Sequence, residues 1–241
     1  GGKTFAHMGL RASKAINRIV IDPRDNNVVH VAVTGSLWGP GSERGIFKTT
    51  DGGKTWKQTL KVDDDTGANE VVMDPSNSQI LYATMYQRRR TQCCFNGGGA
   101  GSGMFKSTDG GETWTKLKGG VLDGQLGRIA LDVYRKRPNI LYALIEGPTP
   151  PAGRGGRGGG AAGGEVGPGA AAAAAPAPAQ EFPGGGRGGG GALNNSPTGM
   201  YRSDDAGATW RKVNNTNPRP MYFSQIRIDP TDPDVVYLGG V

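Results

Sequence analysis

Apolar and polar positions alternate along this chain in short runs that recur in a fixed order. Arg18-Ile19-Val20-Ile21-Asp22-Pro23 leads to Val28-Val29-His30-Val31-Ala32-Val33, and Val71-Val72-Met73-Asp74-Pro75 leads to Ile80-Leu81-Tyr82-Ala83. The same order returns in Arg128-Ile129-Ala130-Leu131-Asp132 before Ile140-Leu141-Tyr142-Ala143-Leu144, and in Ile226-Arg227-Ile228-Asp229-Pro230 before Val235-Val236-Tyr237-Leu238. Each pair predicts two β-strands, A and B, joined by a polar loop rich in Asp, Pro and Asn.

A second phrase follows each of the first three pairs. Gly45-Ile46-Phe47-Lys48 runs into Thr49-Thr50-Asp51-Gly52-Gly53-Lys54-Thr55-Trp56. Gly103-Met104-Phe105-Lys106 runs into Ser107-Thr108-Asp109-Gly110-Gly111-Glu112-Thr113-Trp114, and Gly199-Met200-Tyr201-Arg202 into Ser203-Asp204-Asp205-Ala206-Gly207-Ala208-Thr209-Trp210. These residue types suit a tight turn between strands C and D. The Asp carboxylate accepts from nearby backbone N–H groups, and Gly53, Gly111 and Gly207 tolerate positive φ. Asp51, Asp109 and Asp205 are therefore assigned to the turn rather than to catalysis. Trp56, Trp114 and Trp210 are large enough to fill a gap between neighbouring repeats, where burial of such a ring contributes roughly 2 to 3 kcal/mol.

Four strands per repeat, with tryptophans 58 and then 96 residues apart, predict an all-β fold, a β-propeller of four-stranded antiparallel blades. The expected divisions are the end of one blade plus a first full blade over 1–60, a second blade over 61–118, a third over 119–213 and the start of a fourth over 214–241. Gly1-Gly2-Lys3-Thr4-Phe5 aligns with Gly52-Gly53-Lys54-Thr55-Trp56, and Val235 to Val241 is a B strand without C or D. About three and a half blades are thus expected, a segment of a longer propeller whose remaining blades would be its nearest partners.

The Ser/Thr-x-Asp-x-Gly-x-Thr-Trp phrase resembles the Asp-box, or BNR repeat, of sialidases, xyloglucanase-type glycoside hydrolases and the sortilin (VPS10) propeller. Asp74-Pro75-Ser76-Asn77, Gln87-Arg88-Arg89-Arg90-Thr91 and Phe95-Asn96-Gly97-Gly98-Gly99 look like phrases of secreted bacterial BNR/VPS10-like proteins. The resemblance covers nearly everything outside a low-complexity insert and implies architecture rather than activity. It also implies a secreted or periplasmic location.

Charge and composition add the next constraints. Lys and Arg number 28 against 21 Asp and Glu, a net charge of +7. This permits anion binding without requiring it. Between about Gly147 and Ala192 the chain is nearly all Gly, Ala and Pro, with Arg-Gly-Gly triplets and a single aromatic, Phe182. Too little apolar surface is available there to offset ordering entropy, and the insert reads as a flexible loop rather than a nucleic-acid contact. No nucleic-acid partner is expected. No apolar run is long enough to span a membrane, and no phosphate loop or dinucleotide fingerprint points to a cofactor. The only cysteines, Cys93 and Cys94, are read as free thiols or a bond between adjacent residues. With His7 and His30 the only histidines, no metal site is expected.

Strand direction places the Asp turns and the A–B loops on one face of each blade, and the B–C and D–A loops on the other. The insertions all fall on that second face, which is the expected working surface. Its candidate acids are Asp63, Asp64, Asp65 and Glu70, and its candidate ligand contacts are Arg88, Arg89, Arg90, Trp38 and Tyr222. Two carboxylates at suitable separation would hydrolyse a glycoside; alternatively the three aspartates cap a turn and balance the arginines. Calcium at Asp63 and Asp65 lacks the EF-hand spacing. The arginines suit carboxylate or phosphate, with Arg88 and Arg90 pointing one way and Arg89 the other. Trp38 and Tyr222 suit stacking on a sugar ring. The Arg-Ile-Pro motif of sialidases is absent. The expected function is a binding or scaffolding module for a polypeptide or glycan, with a xyloglucanase-like glycoside hydrolase using two acidic residues as the alternative.

Overall fold

A computed structural model describes residues 2–147, 193, 195–217, 220–221 and 224–239. The first sheet contains β1 (Ile16–Asp22), β2 (Asp25–Val33), β3 (Gly45–Thr49) and β4 (Lys57–Leu60), paired antiparallel in chain order. The second contains β5 (Thr66–Met73), β6 (Leu81–Arg90), β8 (Gly103–Ser107) and β9 (Thr115–Lys116), with β7 (Phe95–Gly97) folding back on the end of β6. The third contains β10 (Ile129–Val133), β11 (Leu141–Ile145), β12 (Gly199–Ser203) and β13 (Arg211–Asn214), and β14 (Gln225–Ile228) pairs with β15 (Val236–Gly239) in the fourth. The innermost strands β1, β5, β10 and β14 surround a common cavity of about 720 Å³, contacted by Ile19, Val71, Val133 and Ile228 among others. These are successive blades of a β-propeller.

The near-continuous apolar runs follow from burial on both faces. In β11, Leu141, Ala143 and Ile145 face a core shared with the second sheet, while Tyr142 and Leu144 face one shared with the fourth. A period-two strand with a neighbour on each side has no solvent face to keep polar. The core between the first and second sheets holds Ala32, Ile46, Leu60, Val71, Leu81 and Phe105, with Trp114 packed against it. Trp210 packs into the core between the second and third.

Residues 2–15 form no strand. Phe5, which aligns with Trp56 in sequence, is exposed, and the segment instead lays Leu10 against the outer face of the first sheet. The backbone carbonyl of Met8 accepts the Trp56 indole N–H at 2.6 Å.

All three Asp corners share one set of bonds. In the second, Ser107 Oγ donates to Asp109 Oδ1 at 2.7 Å, Gly111 N–H donates to Ser107 Oγ at 2.9 Å, and Thr113 donates through its N–H at 3.0 Å and its hydroxyl at 2.5 Å. The Thr49-Asp51-Thr55 and Ser203-Asp205-Thr209 corners repeat this arrangement. Donation by the following threonine hydroxyl, then by its N–H, holds all three carboxyls below their ordinary range, Asp205 at about 2. Each corner needs two successive residues at positive φ: Gly52 and Gly53, Gly110 and Gly111, Ala206 and Gly207.

Every corner after the first also docks on the preceding sheet. Tyr82 and Lys106, opposite each other on β6 and β8, both donate to the Ala206 carbonyl, at 3.1 and 2.9 Å. The equivalent pair in the first sheet is His30 and Lys48. Lys48 bonds Glu112 at 2.6 Å, and His30 lies so close to Gly111 that a methyl group there would meet its ring at 2.7 Å. In the third sheet Tyr142 and Arg202 pair, and Arg202 reaches Asp234 of the fourth.

Ala206 carries a left-handed φ of 57°, a conformation that costs an L-residue about 1 to 2 kcal/mol. Ala206→Gly is therefore expected to stabilise the protein by about 0.5 to 1 kcal/mol in urea unfolding, after allowing for the greater unfolded freedom of glycine.

His30 is 1% exposed. Burial first, and then Lys48, lower its pKa to about 4, with Asp22 and Glu112 acting in the opposite sense. The unfolded chain takes up a proton near pH 6.5 whereas the folded one does not, so this site's contribution falls as pH drops from about 6.5 to about 4. Thermal midpoints of wild type and His30→Tyr across that range should diverge, with the histidine form losing more.

Candidate functional site

Arg44 builds the first part of the loop face. It is 0% exposed, and its guanidinium donates to the carbonyls of Thr34 at 2.7 Å, of Gly39 at 2.6 Å, and of Ser36. A loop of this length leaves several carbonyls without strand partners. One planar fork gathers three of them. The product is a tightly tied β2–β3 loop with Trp38 on its outer surface, 65% exposed. The base of the loop is wedged against the second sheet: a methyl group at Gly67 would sit 2.1 Å from the Thr34 carbonyl oxygen.

Two neighbouring segments close on this loop and bond to each other. Gly41 N–H donates to the Asp64 carbonyl at 3.0 Å, Arg90 N–H to the Leu37 carbonyl at 2.8 Å, and Arg88 N–H to the Asp65 carbonyl at 3.3 Å. Farther along, Gly99 N–H donates to the Leu126 carbonyl at 3.1 Å. The Asp corners bond to the A–B loops beside them, Gly52 to Asn27, Gly110 to Gln79 and Ala206 to Asn139. The insertions thus collect on one side of the blades and the corners on the other.

The candidate acids are each engaged within the protein. Asp63 accepts the Asp65 N–H at 2.8 Å in a local turn. Asp64 pairs with Lys61 at 2.7 Å, and Asp65 pairs with Arg89. Glu70 is 2% exposed and accepts from Arg18 Nε at 2.9 Å. Burial raises the Glu70 pKa, against the opposing pull of Arg18, Arg227 and Arg128. Asp63, Asp64 and Asp65 therefore lie together on the surface loop, while Glu70 belongs to the innermost strand.

The arginines divide by side of the strand. Arg89 faces Asp65, beside a pocket of about 290 Å³ whose lining also includes Arg88, Thr91, Cys94 and Phe95. On the other side, the Arg90 guanidinium lies 5.9 Å from the Trp38 ring centroid and 5.6 Å from that of Phe95. Cys93 and Cys94 are paired as a disulfide at the tip of the β6–β7 hairpin. Among the described residues, no group of three or more His, Cys, Asp or Glu side chains comes together as a metal site.

Tyr222 lies outside the described residues, as does the insert from 148 to 192. Residue reading also missed Arg44 as the loop's organiser, Phe95 as the second ring on Arg90, and the buried Tyr86. Arg44 had a faint signal as a charged residue directly before the strand-opening Gly45. Its burial depends on carbonyls that only the folded loop presents.

Radial four-stranded sheets, self-bonded Asp corners and a separate loop face define an Asp-box β-propeller. The family model Sortilin-Vps10 (Sortilin, neurotensin receptor 3) matches residues 1–142, more than half of the chain, and the chain belongs to that family. Among curated proteins it is 36% identical over 112 residues to a xyloglucanase of Hypocrea jecorina, covering 42% of this chain and 12% of that protein. It is 29% identical over 112 residues to the xyloglucanase Xgh74A of Acetivibrio thermocellus, covering 43% and 12%. The chain thus spans about an eighth of the length of these relatives. Among solved structures, the GH74 xyloglucanase from Xanthomonas campestris superposes with a TM-score of 0.53 at 14% identity, over 92% of this chain and 26% of that one. That likeness is one of fold. Among the described residues no helix is long and apolar enough to cross a membrane.

Arg44→Lys keeps the charge but not the fork, leaving buried carbonyls without donors. It is expected to cost about 2 to 4 kcal/mol in urea unfolding. It should also shift Trp38 fluorescence in the folded protein; unchanged stability and emission would remove Arg44 from this role.

Proposed function

We propose that this chain belongs to an extracytoplasmic propeller whose loop-rich face recognises a glycan without cleaving it. The observation that carries this reading is a contrast between Trp38 and the four candidate acids. Trp38 presents a mostly open ring on a loop fixed from beneath by Arg44, so little ordering entropy opposes stacking of a sugar on it. Asp63, Asp64, Asp65 and Glu70 are each held by a turn or an ion pair. A hydrolase needs two carboxyl groups free to face the scissile bond.

The xyloglucanase names of the relatives support a glycan over a polypeptide as ligand. Residence in an oxidising compartment is supported by the Cys93–Cys94 disulfide, since such bonds persist mainly outside the reducing cytosol. The opposing reading, glycoside hydrolysis, rests on those same relatives and would need acidic residues other than these four.

Affinity electrophoresis of the full-length protein in xyloglucan gels should show retarded migration, with Trp38→Ala weakening binding by about tenfold. Incubation should release no reducing ends. Release that disappears in Asp63→Ala, Asp64→Ala, Asp65→Ala or Glu70→Ala would replace recognition with turnover, and capture of peptides but no glycan would change the ligand class.

A further inference from the structure

Arg88 differs from its neighbours in having neither an acidic nor an aromatic partner among the described residues. Arg89 has Asp65, and Arg90 has two aromatic rings. The Arg88 guanidinium makes no hydrogen bond or ion pair with the described residues, although its Nε is shut off from solvent. The cations around it deepen this deficit. Burial acts first against its charge, and Arg128 and Arg44 add to that. Tyr86 is fully buried, with a hydroxyl that has no partner.

The opposite strand offers this place no charged partner. Gly97 stands directly across from Arg88, and a methyl group there would lie 2.7 Å from both the Phe95 ring and the Tyr86 hydroxyl. The space across from Arg88 is thus taken by the Phe95 ring and the Tyr86 hydroxyl, neither of which is an anion. A half-buried guanidinium without an acceptor is a donor in a partly desolvated site, and such a donor favours an anion.

The apolar component adjoins it. Side chains two positions apart on one strand are about 7 Å apart, which sets Arg88 one step from Arg90 and hence from the Trp38 platform. A planar guanidinium matches a carboxylate through two parallel bonds. An exposed indole matches the C–H face of a sugar ring. A carboxylate carried on a saccharide satisfies both.

We propose that the loop face contains a uronic-acid subsite, in which Arg88 receives the carboxylate and Trp38 the ring of the adjacent saccharide unit. This assignment rests on the glycan reading above and adds the charge of the glycan. Acidic polysaccharides are the ligand class it selects.

The test measures binding of the full-length protein to polygalacturonate and to neutral xyloglucan by titration calorimetry at low and high salt. Polygalacturonate should bind, more weakly as salt rises, and Arg88→Gln should weaken it by about tenfold or more while changing xyloglucan affinity less than about twofold. Trp38→Ala should weaken both. With the wild-type protein, free galacturonate should compete with polygalacturonate where galactose does not, a comparison that does not depend on how the variants fold. Xyloglucan binding without polygalacturonate binding, equal competition by the two sugars, or undiminished polygalacturonate binding in folded Arg88→Gln would overturn the subsite and leave neutral-glycan recognition standing. Failure to bind either polysaccharide would overturn both readings.

Discussion

The constraint on which the rest depends is the closure of each strand C to strand D corner around its own aspartate. A turn with two successive left-handed residues leaves N–H groups and hydroxyls pointing inward, and one carboxylate collects them. Because the corner satisfies itself, its outer surface is free to seat on the preceding blade. Tyr82 and Lys106 grip the third corner by its Ala206 carbonyl. The sheets are thereby joined twice, by apolar cores between their faces and by a polar latch at the rim. On the corner side of the blade these bonds serve assembly, while the long loops lie on the other side.

The blade pattern was legible because its determinants are local. Asp, Gly, Thr and Trp at fixed offsets dictate the corner, and two-residue alternation in strands such as Leu141–Ile145 dictates which neighbour each side chain meets. Strand direction then fixes the face to which each loop belongs. Nothing local, however, distinguishes His30 from the tyrosines at the equivalent positions. Its meaning comes from Gly111 and Lys48, which lie far away in sequence.

The loop face was legible as a surface but not as an arrangement. Alternation along β6 separates Arg89 from Arg88 and Arg90, yet no spacing rule says that Asp65 will neutralise the first while two rings cover the last. Glu70 illustrates the same boundary. In sequence it neighbours the aspartate triplet, but the triplet belongs to an exposed connection and Glu70 to a strand at the centre. Charge alone placed them together; burial separates them.

Gly67 carries the last consequence. Its lack of a side chain lets the entry to β5 press against the Thr34 carbonyl, which also anchors the guanidinium beneath the Trp38 loop. The seam between two blades and the posture of the outermost indole are thus mechanically one object. A substitution at the seam would therefore displace that indole without touching it.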